Sequence, residues 1–310
     1  MTTSMSPHWT ASDLPDQTGR TVLVTGANSG LGLQTSRELA RRGARVLMAC
    51  RNPGRATAAR DLIRAEIPGA SVDLIELDLS SLTSIELAAK RVADRLDRLD
   101  ILIDNAGVMA VPRSLTADGF ELQLGTNHLG HFALTGRLLP LLLASPEPRV
   151  VVVSSEAHRS GKINFSDLMG EQSYGRWRAY GQSKLANLLF VRELQRRAPG
   201  TPLLAVAAHP GYANTNLQSG QGNVLLELAM KVGNKVLAQS DAAGAWPQEY
   251  AATMADVVPG GFYGPRGFGG MKGSPTLVTP TKAAQDDAVA KRLWDVSAEL
   301  TGITYAGLSG

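Results

Sequence analysis

The chain has 310 residues, 44% hydrophobic and 19% charged, which supplies a sizeable core and leaves no low-complexity tract between regions. Its formal net charge of +3 comes from dispersed Lys and Arg, as in Arg41-Arg42 and Arg196-Arg197, which excludes a clustered basic and aromatic nucleic-acid patch. Cys50 is the single cysteine, so intrachain disulfides and cysteine-rich metal sites are excluded, and a reducing cytoplasm is the expected setting.

Residues 1–19 have neither a basic n-region nor an apolar h-region and are expected to be an N-terminal extension, not a signal peptide or anchor. Residues 20–310 read as one domain. The β-branched run Thr21 to Val24 predicts a buried strand, and Leu31, Thr35, Leu39 and Ala40 recur at helical spacing behind it. Between them Gly26, Gly30 and Gly32 form a G-x-x-x-G-x-G turn, where missing Cβ atoms and free helix N–H groups suit a pyrophosphate. Arg45 to Cys50 predicts a second strand, with Cys50 a small buried hydrophobe at its end. A helix over Asn52 to Ile67, stopped by Pro68-Gly69, a strand over Ser71 to Leu77 and an amphipathic helix over Ser81 to Leu96 follow.

Asp100 to Asp104 predicts a fourth strand, Phe120 to Ala144 a long helix, and Val150 to Val153 a fifth, central strand apolar on both faces. The most apolar segment, Leu138 to Ala144, is far below the roughly 20 residues that span a bilayer, so membrane insertion is not expected. Tyr174 to Arg197 predicts a helix and Leu203 to Ala208 a sixth strand. Beyond Pro210 the pattern predicts helices over Gly220 to Gln239, Asp241 to Ala255 and Lys282 to Leu300, with a last strand at Gly261 to Tyr263. Strands alternating with helices specify an α/β fold, a doubly wound parallel sheet whose ligands bind outside the strands' carboxyl ends.

The loops at those ends carry the chemistry. Arg51, about 20 residues beyond the glycine turn, stands where an acid would bond a ribose 2′-hydroxyl and an arginine accommodates a 2′-phosphate, so NADP(H) is favoured over NAD(H). A solvated surface arginine is the alternative. Asp78-Leu79 reads as an adenine contact or a helix cap, and Asn105-Ala106-Gly107 as a small turn beside a cofactor. Tyr180 and Lys184 lie at i, i+4 on one helix face. A nearby cation favours the phenolate of a tyrosine whose ordinary pKa is about 10, as general acid–base work at neutral pH requires. His128 and His131 lack a carboxylate or cysteine at ligand spacing, so no metal is expected. His158 is read either as pocket lining or as packing.

TGANSGLG at Thr25 to Gly32, Asn105-Ala106-Gly107, Asn127 in TNHLGHF, Ser155, Tyr180-x-x-x-Lys184 and Pro210-Gly211 occur in that order, and the chain resembles the short-chain dehydrogenase/reductase family. Ala49 to Arg51, SSEAH at Ser154 to His158, AYGQSKLAN and the long Ser155 to Tyr180 interval are similar to its retinol-dehydrogenase-like and WW-domain-oxidoreductase branch. The resemblance implies a single Rossmann-type domain and an oxidoreductase acting between nicotinamide and a carbonyl or alcohol. It assigns catalysis to Asn127, which holds a relay water, Ser155, which bonds the substrate oxygen, Tyr180, which exchanges the proton, and Lys184, which lowers the Tyr180 pKa and bonds the nicotinamide ribose. Cofactor contacts follow at Gly26, Asn28, Ser29, Gly30, Leu31, Gly32, Arg51, Asp78, Leu79, Asn105, Ala106, Gly107, Tyr180, Lys184, Pro210, Gly211 and Thr215.

Residues 212–240, with Leu217, Val224, Leu225, Leu226, Leu228, Met230 and Val232, are expected to close the substrate pocket, which would favour an apolar substrate; the same stripe also suits core burial. A non-catalytic NADP(H)-binding regulator is the competing reading. A homo-oligomer is compatible with the chain, which carries no motif that selects one.

Overall fold

Strands β1 (Thr21–Thr25), β2 (Arg45–Cys50), β3 (Val72–Glu76), β4 (Ile101–Asp104), β5 (Arg149–Val153), β6 (Leu204–Ala208), β7 (Phe262–Pro265) and β8 (Pro275–Leu277) pair into one sheet in a computed structural model that describes residues 8–211 and 240–308. The order is β3-β2-β1-β4-β5-β6-β7-β8. All pairings are parallel except β7 with β8, where Tyr263 faces Leu277. This is the doubly wound parallel sheet expected, with one difference. The antiparallel edge strand β8 was not foreseen, because it is short and begins at Pro275, a residue that sheets tolerate only at edges.

Helices α1 (Gly30–Arg41), α2 (Pro53–Glu66), α3 (Leu82–Ala93), α4 (Leu122–Leu124), α5 (Gly130–Leu143), α6 (Arg176–Arg197), α7 (Asp241–Thr253) and α8 (Asp287–Thr301) cover both faces. Successive β1 residues serve opposite layers, as the two-residue strand period demands. Val22 and Val24 pack with Leu39 of α1, Ile63 of α2 and Tyr250 of α7. Leu23 packs with Ile85 of α3, Phe132 of α5 and Leu189 of α6. Each side chain of that size, fully buried, contributes roughly 1.5–3 kcal/mol.

Local chemistry sets the helix starts. Asn52 caps α2 by accepting from Arg55 N at 2.9 Å, with Pro53 at the first helical position, and Ser81 caps α3 through Ser84 N at 3.2 Å. Asp286 caps α8 through Val289 N at 3.0 Å, which divides the helix predicted from Lys282 into a 3₁₀ turn (Lys282–Gln285) and α8. The single long helix predicted over Phe120 to Ala144 is likewise divided: α4 passes through a π-helical turn, Gly125–Leu129, into α5. The N-terminal segment packs on the domain through Trp9, whose ring meets Tyr250 edge-on at 5.3 Å. The helix predicted over Gly220 to Gln239 lies outside the described residues.

Candidate active site

At the carboxyl ends of β1 to β4 a cavity of about 500 Å³ is lined by Gly26, Asn28, Ser29, Gly30, Leu31, Gly32, Arg51, Asp78, Leu79, Asn105, Ala106 and Gly107, all singled out from sequence. The glycine turn cannot carry side chains. Gly26 has φ +66°, and a Cβ on Gly32 would stand 2.5 Å from the Gly26 carbonyl oxygen and 2.6 Å from Asn105 Nδ2. The backbone therefore comes close to the cavity at the start of α1, where unpaired N–H groups favour an anion. At the other end Arg51 and Arg55 both line the wall, four residues apart at the start of α2. A dinucleotide fits this donor set: a glycine cradle for the pyrophosphate and two cations for further phosphate. Asp78 also organises its own turn, since its Oδ1 accepts from Ser80 N at 2.9 Å and Ser80 Oγ at 2.6 Å.

A second cavity, about 450 Å³, shares Leu31, Asn105, Gly107 and Val108 with the first, so the two adjoin. Ser155, Tyr180, Lys184, Pro210 and Gly211 line it. Tyr180 and Lys184 share one face of α6, with Nζ 5.8 Å from the phenol ring centroid. Ser155, the first residue of the turn after β5, hydrogen-bonds the Tyr180 hydroxyl and also accepts from Ala157 N at 3.2 Å.

The electrostatics differ from the expected depression of the phenol by the ammonium. Burial pushes Tyr180 up to about 12, and the Ser155 hydroxyl opposes it. Burial also pushes Lys184 down to about 8. The ammonium lies 5.8 Å from the ring centroid and donates to the Val153 carbonyl at 3.0 Å. Tyr180 is thus held neutral, next to a cation whose charge is itself sensitive to mild alkali.

Asn127 sits in the π-helical turn rather than in ideal α-helix, a distortion often found at functional sites. Its side chain is engaged on both sides: Oδ1 accepts from Val108 N at 2.8 Å, and Nδ2 donates to Val108 O at 2.9 Å and Ser183 Oγ at 2.9 Å. It clamps the loop after Gly107, where a Cβ would meet Asn127 Oδ1 at 3.1 Å and Lys184 Nζ at 3.6 Å.

His158 does not line the cavity. It is buried, donates from Nδ1 to the Ser155 carbonyl at 2.7 Å and packs edge-on against Phe262. His128 and His131 are also buried, and among the described residues no cluster of His, Cys, Asp and Glu has the makings of a metal site. Thr215 and the apolar positions expected to close the pocket lie outside the described residues.

Sequence reasoning missed Arg55, Met109, Glu156, Trp177 and Met271, which also line the two walls. Arg55 had a readable signal, being a second arginine in the first turn of the helix predicted just after Arg51. Trp177 had one too, since it lies one turn before Tyr180; it is 54% exposed and meets the Tyr180 ring edge-on at 6.1 Å. Met109 and Met271 had none, because only tertiary folding brings their loops to the cavity. No helix among the described residues is long and apolar enough to cross a membrane.

A family model described as short chain dehydrogenase matches residues 20–223. Mouse retinol dehydrogenase 14 is 45% identical over 298 residues, covering 92% of this chain and 86% of the mouse protein. Human retinol dehydrogenase 13 is 43% identical over 292 residues, covering 92% and 85%. Among solved structures, an uncharacterised protein from Mycobacterium paratuberculosis superposes with a TM-score of 0.79 at 48% identity over 96% of this chain and 99% of that one. A short chain dehydrogenase from Shigella flexneri 2a, complexed with NADP, gives 0.58 at 25% identity over 76% and 92%.

Proposed function

The chain belongs to the short-chain dehydrogenase/reductase family, in its retinol-dehydrogenase-like branch, and from that membership we propose an NADP(H)-dependent enzyme that interconverts an apolar carbonyl compound and its alcohol. The observation that carries the reading is that Tyr180, Ser155 and Lys184 line a cavity that adjoins the glycine-turn cavity through Leu31, Asn105, Gly107 and Val108. When bound, the nicotinamide supplies or accepts the hydride. The protein's part is proton transfer and orientation. Tyr180 gives a proton to the substrate oxygen in reduction and takes it back in oxidation. Ser155 donates to the same oxygen as charge develops there. Lys184 and the Asn127 carbonyl lead the proton onward through water. The cavity walls of Leu31, Val108, Met109, Trp177 and Met271 favour an apolar substrate, in keeping with the retinol dehydrogenases among its relatives.

Arg51 and Arg55 support NADP(H), as does the NADP bound in the Shigella relative. Oxidation of NADPH and NADH should be followed in parallel against aldehydes, ketones, retinoids and steroids. NADPH is expected to give the higher kcat/KM, and Arg51→Asp with Arg55→Ala to lose at least about tenfold of that preference, equivalent to about 1.4 kcal/mol. Equal use of both cofactors by the unmodified enzyme would overturn the assignment, and no turnover with any carbonyl would favour the regulatory reading.

A pH dependence follows from Lys184. Its charge is present below about 8 and lost above, while Tyr180 keeps its proton to about 12. Reduction needs both groups protonated, so kcat/KM for carbonyl reduction should fall as pH rises through about 8. A profile flat from neutrality to about pH 10 would contradict this role for Lys184.

A further inference from the structure

Behind the site runs a buried hydrogen-bond chain that the catalytic scheme does not use. His131 stands one helical turn after Asn127 and is fully buried. Its Nδ1 lies 3.0 Å from the Asn127 carbonyl oxygen and its Nε2 2.9 Å from Thr25 Oγ1. Burial pushes the imidazole down to about 4, opposed by the Asn127 carbonyl and reinforced by the charge of Lys184, so the ring is neutral at physiological pH. A neutral ring has one donor and one acceptor.

The neighbours decide which is which. A carbonyl oxygen only accepts, so the proton is on Nδ1 and Nε2 is the acceptor. Thr25 Oγ1 must then donate to it. The hydroxyl is free to do so, because both its lone pairs are occupied: it accepts from Asn105 N and Ala106 N, each at 2.9 Å. The chain therefore runs in one direction, from the Asn105-Ala106 turn through Thr25 and His131 to the Asn127 carbonyl, and each bond polarises the next. It starts at the turn lining the cofactor cavity and ends at the main-chain carbonyl of Asn127, the group that the proposed relay uses.

We infer that His131 is a positioning residue: its Nδ1–H, backed by the Thr25 hydroxyl at Nε2, orients the main-chain carbonyl of Asn127 for the proton relay. This rests on the proposed reductase reading.

Three variants separate the possibilities. His131→Phe fills the space without a donor and should lower kcat on the order of 10²-fold, the cost of a misplaced reacting group, with KM for NADPH within about twofold of wild type. His131→Asn carries its amide N–H where Nδ1 was, and Thr25 keeps the Ile103 carbonyl, 3.4 Å away, as an alternative acceptor; most of kcat should return. His131→Gln places its amide one atom further out and should not rescue. Independently of turnover, ¹⁵N spectra of the imidazoles in the cofactor-free protein should show His131 protonated at Nδ1 and not titrating between about pH 6 and about pH 8. Lys184 and the neighbouring His128 are the titratable groups bearing on that reading.

Protonation at Nε2, or titration in that range, overturns the inference, as does His131→Phe with wild-type kcat. Equal losses in all three variants would assign His131 to packing and also overturn it. Tyr180→Phe serves as the control. If it keeps wild-type turnover, the reductase reading itself has failed, whereas a dead Tyr180→Phe beside an active His131→Phe removes only the role of His131.

Discussion

Tyr180→Phe should lower kcat by on the order of 10²–10⁴-fold, the range that a positioned general acid contributes, and leave NADPH affinity unchanged. The substitution removes one oxygen and keeps the ring that packs against Trp177 and lies 5.8 Å from Lys184 Nζ. Lys184 stays bonded to the Val153 carbonyl, and the glycine turn and Arg51 are untouched. The Ser155 hydroxyl loses a partner but borders a cavity where water replaces it. Only the proton donor disappears. Steady-state rates with a reducible carbonyl, alongside NADPH titration by fluorescence, test this; a variant keeping more than about a tenth of wild-type kcat would remove Tyr180 from the mechanism.

Phe132→Ala should cost about 3–5 kcal/mol, the range for deleting a fully buried phenylalanine, against a total stability of roughly 5–15 kcal/mol for native proteins. Phe132 is completely buried on α5, and its ring lies 5.1 Å from Trp294 of α8, 4.9 Å from Tyr305 and 5.5 Å from Phe190 of α6. The Tyr305 hydroxyl also donates to the Phe132 carbonyl at 2.7 Å. This cluster is what docks the C-terminal segment on the layer that carries Tyr180. Truncation would leave a cavity among rigid rings with little freedom to collapse, so α8 should become susceptible to protease before the sheet unfolds. Denaturant unfolding with limited proteolysis checks both. A loss below about 1 kcal/mol would show that the cluster repacks.

Much of the site was legible. The turn glycines, Arg51, Asn105 to Gly107, Ser155 and the Tyr180–Lys184 pair were identified as functional, and the fold brings them to two adjoining cavities. They were legible because each lies just after a strand or on one helix face, where periodicity places it. Arg55 and Trp177 were overlooked although their nearness in sequence to Arg51 and Tyr180 pointed to them. Met109, Glu156 and Met271 line the cavity through loops whose paths no local pattern encodes, and the helix through Asn127 reads as regular although it contains a π-helical turn.

The sequence by itself determined the doubly wound architecture, its first six strands in chain order and the residues at which α2 and α3 begin. Those features follow from apolar period and from hydrogen bonds between residues two to four apart. Only the tertiary structure decided the charge state of the site and the direction of its proton-bearing groups. Tyr180 is pushed up and Lys184 down by desolvation, which exists only once the core has closed around them. The His131 ring is held between the Asn127 carbonyl, one helical turn away, and the hydroxyl of Thr25, a residue of another element that meets the ring only after β1 and α5 are packed together.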